Sequence, residues 1–174
     1  KKDTWKTILQ FAITVLTALL TTLGTNAAIV ITFKNIITMR KINLIIIHCS
    51  ATRADRSFTF EDLQACHKAR GFRSVGYHYY ITRDGMLYPG RPESQPGAHA
   101  LRYNAHSIGI CYEGGLDADG KPADTRTEAQ KATMRELLVS LCMDYPEAEI
   151  IGHRDLPWVK KACPCFDVKK WLAT

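Results

Sequence analysis

The 174-residue sequence has no internal repeat and little excess of either charge, and both absences limit what it can be. Charged residues make up 23% and apolar residues 46%, close to the globular average, which argues against a fibrous or wholly disordered chain. The 23 Lys and Arg against 17 Asp and Glu give a net charge of +6, shared equally between residues 1–39 and residues 40–174. A domain this weakly basic gives no case for nucleic acid as a partner, and none is expected.

The sequence also lacks the pattern of a small disulfide-stabilised protein. Its six cysteines are even in number, but a chain of this length buries a core without disulfides. Four of them lie on apparent helix faces or strand ends and are interpreted as small buried hydrophobic residues: Cys49, Cys66, Cys111 and Cys142. The other two, Cys163 and Cys165, flank Pro164 in a basic loop where a thiolate can form.

Charge is absent altogether from residues 7–33, an apolar stretch preceded by a basic N-terminus. Such a segment has three interpretations: a cleaved signal or signal-anchor, a buried helix followed by a strand, or the product of a misassigned start, with the protein beginning at Met39. In the first case the protein is periplasmic or membrane-anchored, with membrane association through residues 5–31. In the last case the protein is located in the cytoplasm until it is released to the cell wall.

The rest of the sequence alternates short apolar runs with helical patterns. Residues 42–47 are almost continuously β-branched, which is typical of a strand buried on both faces. The sequence Arg83-Asp84-Gly85 predicts a tight turn between two antiparallel strands. Capping signals indicate that helices begin at Thr59 and at Thr127. Together the patterns predict strands at 42–47, 75–82, 86–88, 107–112 and 150–151, helices at 59–70, 127–145 and 166–172, and a long loop at 89–106 of the kind that binds ligands.

We therefore expect one α/β domain over residues 40–174, with a central mixed β-sheet flanked by helices, and a separate apolar segment at residues 1–39. His67 on the first helix is expected at the surface, and His78 is expected to be structural. The core face of the second helix is assigned to Ala129, Ala132, Leu137, Leu138, Leu141 and Tyr145.

Two histidines follow apolar strands, at the strand end where α/β sheets bind ligands. His48 closes the first strand, His153 follows a short apolar run, and Cys163 comes ten residues later. Two imidazoles and one thiolate are the ligand set of a catalytic zinc site, in which the fourth position stays open. The spacing leaves a second interpretation open, a closed structural site in which Cys165 is the fourth ligand.

Six motifs occur in order along the chain: IIIHCSAT at 45–52, VGYHY at 75–79, RDG at 83–85, SIGI at 107–110, GHRDL at 152–156 and KACP at 161–164. This series resembles the zinc N-acetylmuramoyl-L-alanine amidases, a family that includes short phage amidases and the peptidoglycan recognition proteins. The resemblance covers about residues 41–173. It implies hydrolysis of the amide between the lactyl group of muramic acid and L-alanine in peptidoglycan, with one zinc ion held by His48, His153 and Cys163.

Four further residues take their roles from the same resemblance. Tyr77 matches the tyrosine that contacts the zinc-bound water or the oxyanion, and Lys161 matches the lysine that stabilises the tetrahedral intermediate. Glu113 occupies the place of a glutamate that serves as the base in relatives lacking the tyrosine, so the group that transfers the proton is left open. His99 resembles a substrate-groove histidine of the family.

We expect peptidoglycan as the partner and a monomeric protein. A protein that begins at Met39 is expected to remain in the cytoplasm until it is released to the cell wall. A non-catalytic peptidoglycan-binding module of the same fold is the alternative to an enzyme. Non-catalytic relatives lose the third ligand, whereas Cys163 is present here. The closed structural zinc site of His48, His153, Cys163 and Cys165 remains the other alternative.

Overall fold

The computed structural model describes residues 40–174. The predicted leader at residues 1–39, and with it the expected membrane association through residues 5–31, lies outside the described residues. Within residues 40–174 no helix is both long and apolar enough to cross a membrane. The helices are α1 (Phe60–Ala69), α2 (Glu128–Asp144) and α3 (Val168–Leu172), and the strands are β1 (Leu44–Cys49), β2 (Thr52–Arg53), β3 (Tyr79–Ile81), β4 (Leu87–Pro89), β5 (Ser107–Tyr112), β6 (Gly115–Leu116) and β7 (Glu149–Gly152).

Five strands form one mixed sheet in the order β4-β3-β5-β1-β7, while β2 and β6 form a separate parallel pair. Strand β1 pairs in parallel with β5 and β7, and β3 pairs in parallel with β5 and antiparallel with β4. The predicted mixed sheet and the turn before β4 are therefore confirmed. Gly85 occupies that turn with φ of +87°, a conformation that residues with a Cβ atom adopt only at a cost.

The centre of the sheet is buried on both faces, as the β-branched run predicts. The side chains of Ile45, Ile46 and Ile47 in β1 are fully buried. Ile45 and Ile47 pack in the cluster that includes α2 and α3, whereas Ile46 belongs to a second cluster on the opposite face. Each such side chain contributes about 1.5–3 kcal/mol by leaving water, so β1 is a rigid base for the residues at its end.

The register of β1 and β7 positions two of the predicted ligands. Ile47 lies opposite Gly152, so His48 and His153 are the next residues of two adjacent parallel strands. The carboxyl ends of parallel strands meet at the same edge of a sheet. That edge therefore carries both imidazoles.

Helix α1 begins as predicted, but its buried face differs from the prediction. Thr59 and Asp62 form the expected capping box. The buried residues are Leu63 and His67, four positions apart, so the expectation that His67 lies at the surface is wrong. His67 is held inside because its Nδ1 accepts the Gly76 N–H at 3.0 Å. Cys66, one position away, points to solvent and is not the buried residue that was expected.

Helix α2 also starts at its predicted capping box, formed by Thr127 and Gln130. Leu137, Leu138 and Leu141 are buried as expected. Three other assignments on α2 are wrong, because Ala129, Ala132 and Cys142 are exposed and the core positions of the first turns belong to Gln130 and Met134.

Three elements begin two or more residues later than predicted, and one of them is β1, which is expected from residue 42 but starts at Leu44. The strand expected from residue 75 starts only at Tyr79, because the preceding residues bond to loops: the Gly76 carbonyl accepts Ala98 N–H at 2.8 Å. The helix expected from residue 166 starts at Val168, because the Asp167 side chain caps it by accepting the Lys170 N–H at 2.9 Å.

Candidate active site

Three side chains meet at the carboxyl edge of the sheet. One ligand atom from each of His48, His153 and Cys163 lies within 4.8 Å of the other two. His48 Nδ1 is 3.8 Å from Cys163 Sγ, and the two imidazole centroids are 4.5 Å apart. The end of β1, the turn after β7 and the loop before α3 supply these residues, which the sequence predicted as one set.

The donor set fits a zinc ion. Bonds of about 2.0–2.1 Å to nitrogen and 2.3 Å to sulfur place tetrahedral ligand atoms about 3.5 Å apart, close to the distance between His48 Nδ1 and Cys163 Sγ. Zinc needs neutral imidazoles and a thiolate. Burial lowers the pKa of His48 and of His153, and the Lys161 charge lowers both further. Hydrogen bonding from Cys49 lowers the pKa of Cys163, so all three side chains favour their ligand forms.

Cys165 lies outside this cluster. Its Sγ is 3.7 Å from Cys49 Sγ, and within residues 40–174 the metal-binding group contains only His48, His153 and Cys163. The contact with Cys49 and burial raise the pKa of Cys165. Hydrogen bonding with Cys163 is the main cause that raises the pKa of Cys49 to about 12, so Cys163 is the favoured thiolate of the three. The arrangement favours an open site over the closed alternative.

His99 lies directly behind one ligand. His48 Nε2 is 3.0 Å from His99 Nδ1, and His99 Nε2 is 3.4 Å from Ser107 Oγ, which donates to the Tyr103 carbonyl at 2.8 Å. Because His48 Nδ1 faces Cys163, the proton of the neutral His48 ring belongs on Nε2, where it is donated to His99. Partners of this kind fix the ring orientation of a metal ligand. No role is assigned to Ser107 from the sequence, because its position at the start of a strand is the only signal that the sequence offers.

The His99 ring occupies a slot that small residues leave open. A Cβ atom on Gly109 would lie 2.5 Å from the ring, and one on Gly97 would collide with it as well. Burial, followed by the charge of His78, lowers the pKa of His99 to about 3. The ring is therefore neutral, as its hydrogen bond from His48 requires.

Tyr77 and Lys161 border the cluster. The Tyr77 ring centroid is 5.2 Å from that of His48. Burial raises the pKa of Tyr77 well above its usual value, so its hydroxyl stays protonated and is a hydrogen-bond donor. Lys161 is exposed, and its charge lowers the pKa of each of the three ligands. The ammonium therefore acts electrostatically on the cluster.

Glu113 is bonded to two other segments. Its Oε1 accepts the Phe58 N–H at 2.6 Å and its Oε2 accepts the Arg83 N–H at 2.9 Å. The side chain is buried and lines a cavity of about 480 Å³ that includes none of the three ligands. These contacts join the loop before α1 to the turn after β3, and the structure does not bring Glu113 into the metal-binding group.

Comparisons with known proteins identify a family to which this chain is similar. Residues 38–166 match the family described as N-acetylmuramoyl-L-alanine amidase, and residues 1–30 match a family of unknown function. The endolysin of Klebsiella phage KP32 is 42% identical over 127 residues, which cover 73% of this chain and 83% of the endolysin.

Solved structures agree with the sequence comparisons. The N-acetylmuramoyl-L-alanine amidase LysC from Clostridium intestinale URNW has a TM-score of 0.65 at 29% identity, covering 78% of this chain and 86% of that one. A Drosophila PGRP-LB mutant in complex with tracheal cytotoxin has a TM-score of 0.59 at 26% identity, covering 72% and 76%. The resemblance inferred from six motifs is confirmed, and with it the prediction of an enzyme that hydrolyses a peptidoglycan amide. The chain belongs to the N-acetylmuramoyl-L-alanine amidase family.

Proposed function

We propose that residues 40–174 use one zinc ion to hydrolyse the amide between the lactyl group of N-acetylmuramic acid and L-alanine in peptidoglycan. The observation that carries this proposal is the convergence of His48, His153 and Cys163 at the sheet edge, with no fourth protein ligand among the described residues. When bound there, zinc supplies Lewis-acid activation of water and of the amide carbonyl. Hydrolysis breaks the C–N bond, adds hydroxyl to the lactyl carbon and returns a proton to the alanine nitrogen.

The roles of the ligands follow from their surroundings. His48 presents Nδ1 towards the ion because its Nε2–H is donated to His99. Cys163 receives the Cys49 N–H at 3.3 Å, which stabilises the thiolate and holds its position. His99 therefore serves as a positioning residue for His48, in place of the substrate contact implied by the resemblance.

Two other side chains act at the reacting bond. The Tyr77 ring lies beside that of His48, and its protonated hydroxyl donates a hydrogen bond to the carbonyl oxygen as negative charge develops there. The Lys161 ammonium stabilises the same charge, a contribution of about 3–4 kcal/mol for one well-placed donor. Both oxygens of Glu113 already accept backbone N–H groups, so we assign Glu113 a structural role and the hydrogen bond at the substrate to Tyr77.

The relatives support the proposed partner and place of action. A muropeptide substrate is supported by the similar Drosophila protein in complex with tracheal cytotoxin. The endolysin relative supports action at the bacterial cell wall. We propose that the domain acts there as a monomer.

Digestion of purified cell walls tests the proposal. The full chain with zinc should release new alanine amino termini without new reducing sugar ends, and the Cys163→Ser variant should release neither. Wall binding with bound zinc but no new termini would instead identify a binding module. Loss of zinc from a Cys165→Ser variant would identify the closed structural site.

A further inference from the structure

We propose that Cys49 and Cys165 form an oxidisable pair, which low-molecular-weight disulfides convert into an intramolecular disulfide beside the metal-binding cluster. We name these two residues the Cys49–Cys165 pair. Their sulfur atoms are 3.7 Å apart, although the residues are separated by 116 positions in the sequence. Both are free thiols in the structure.

The two sulfur atoms of the pair are in direct contact. Cys49 belongs to the main core cluster, and Cys165 packs against that cluster. At 3.7 Å the sulfurs are at van der Waals distance, which leaves no room for another atom between them. A disulfide bond is about 2.0 Å long, so each sulfur has to move by less than about 1 Å to form it.

Gly115 leaves the space in which the two sulfurs meet. A Cβ atom on Gly115 would lie 2.5 Å from the Cys49 sulfur and 3.5 Å from the Cys165 sulfur. The backbone of Gly115 has φ of +100°, which residues with a Cβ atom seldom adopt. The start of β6 therefore presents a residue without a side chain at the position where the pair needs room.

The backbone holds both cysteines in place. Cys49 is the last residue of β1, at the centre of the sheet. Cys165 has φ of +69°, and its N–H donates to the Ala162 carbonyl at 2.7 Å in a tight turn. The Tyr112 hydroxyl donates to the Pro164 carbonyl at 2.6 Å, which fixes the same turn to β5. Two groups held in contact in this way react much more readily than groups that must first meet.

Cys163 is the competing partner for Cys49. The Cys49 N–H donates to the Cys163 sulfur at 3.3 Å, so this sulfur also lies close by. In the zinc-loaded chain, however, Cys163 serves as a ligand, whereas Cys165 lies outside the metal-binding group. The partner that remains for Cys49 is therefore Cys165.

The oxidation is a thiol–disulfide exchange in two steps. Cys165 is partly exposed and Cys49 is buried, so the Cys165 sulfur attacks the reagent. The S–S bond of the reagent breaks, one thiol leaves, and Cys165 carries a mixed disulfide. The Cys49 sulfur then displaces the second thiol and forms the new S–S bond. Overall the two cysteine thiols are oxidised, and the reagent takes up their electrons and protons as it is reduced to two thiols.

The disulfide would connect two of the zinc ligands through a short covalent path. Cys49 directly follows His48, and Cys165 comes two residues after Cys163. The bond would therefore tie the end of β1 to the loop before α3 without using a ligand atom. The oxidising setting rests on the proposed function, because action at the cell wall takes place outside the reducing cytoplasm.

Equilibration with oxidised glutathione tests the proposal on the full, zinc-loaded chain. Burial and mutual contacts raise the pKa of both thiols and slow the exchange, so the samples are held until the extent of oxidation is constant. The monomer, separated on a non-reducing gel from disulfide-linked dimers, should lose the mass of two hydrogen atoms. Fragment spectra of the crosslinked peptide should assign the bond to Cys49 and Cys165.

Zinc content and melting temperature are measured on the same samples. Zinc should stay bound at an unchanged ratio, because Cys163 is not consumed. The melting temperature should rise by about 10 °C, because a crosslink that closes so long a loop restricts the unfolded chain. A phosphine reductant should reverse this rise.

Three variants serve as controls. Cys165→Ser should show neither the mass change nor the rise in melting temperature, and Cys49→Ala should give the same result from the other side of the pair. The matched control is Cys142→Ser, which removes an exposed cysteine from α2 and should be oxidised like the wild type.

Two results would overturn the assignment of the pair. One is a wild-type monomer that stays reduced at equilibrium, and the other is a disulfide between Cys49 and Cys163 that forms with loss of zinc. Wall hydrolysis by a chain in which the pair does not oxidise refutes this inference alone. A Cys49–Cys165 disulfide in a zinc-loaded chain that hydrolyses no wall refutes the proposed function alone.

Discussion

Replacing His99 with leucine should weaken zinc binding without removing any ligand. In the native protein His48 Nε2 lies 3.0 Å from His99 Nδ1, and His48 is only 1% exposed. Leucine offers no acceptor, so the Nε2–H of His48 either stays buried without a partner or moves to Nδ1. A proton on Nδ1 occupies the lone pair that faces Cys163 and the ion.

The size of the effect follows from the burial of this hydrogen bond. An unsatisfied buried donor costs about 1–3 kcal/mol, which corresponds to about 5–150-fold in an equilibrium constant. Loss of a hydrogen-bond partner behind a metal ligand typically costs about 10–100-fold in metal affinity. We therefore expect the zinc Kd of His99→Leu to rise by about 10–100-fold.

A second variant separates the hydrogen bond from the volume of the ring. In His99→Asn, Oδ1 takes the place of Nδ1 as an acceptor, so zinc affinity should stay much nearer the wild-type value. Affinity is measured by competition with a chromophoric chelator on the full chain, and zinc-free melting curves report the fold of each variant. An unchanged zinc Kd in His99→Leu, or equal weakening in both variants, would refute the hydrogen-bond argument.

Three further predictions concern the metal-binding cluster and the residues around it. Cys163→Ser should lower zinc affinity about 100-fold or more, whereas Cys165→Ser, which changes a residue outside the cluster, should keep wild-type affinity. Zinc titrations in reductant check this prediction. Loss of zinc from the Cys165→Ser variant would contradict it. Lys161→Ala should lower kcat about 10²-fold at unchanged zinc content, and an effect on KM alone would show that Lys161 only binds substrate. Burial lowers the pKa of His78 to about 4 and of His99 to about 3, so between pH 6.5 and 4 the unfolded state binds more protons. The free energy of unfolding of the zinc-free chain should therefore fall as pH drops through that range, by up to about 1.4 kcal/mol per pH unit for each histidine. Urea unfolding at several pH values measures this dependence. A free energy of unfolding that falls with pH as steeply in His99→Asn as in the wild type would contradict the prediction.

Local sequence patterns predicted much of the fold. The β-branched run of β1 identified a buried strand because such residues have little alternative to a packed sheet. The capping boxes at Thr59 and Thr127 placed two helix starts because the bonds involved span only three residues. His48 and His153 were recognisable because each follows an apolar strand at the end where sites form.

Other features depended on contacts between distant segments. His67 accepts the Gly76 N–H, and this contact fixes the face of α1 that is turned inward. His67 is therefore buried, whereas Cys66, the residue before it, is exposed. The backbone partners of Glu113 belong to residues 55 positions before it and 30 positions before it, and nothing near Glu113 in sequence indicates them.

The features of the candidate active site also divide into those that the sequence predicts and those that depend on the tertiary structure. Residue types and motifs by themselves determined the set of two histidines and a cysteine, and through the resemblance the reaction. Only the tertiary structure decided that Cys165 contacts Cys49, 116 residues away, and that His99 contacts His48, 51 residues away. The parallel packing of the strands and the loops between them bring these side chains together. Spacing along a chain carries no information on such distances, since closing a long loop costs little more than closing a short one.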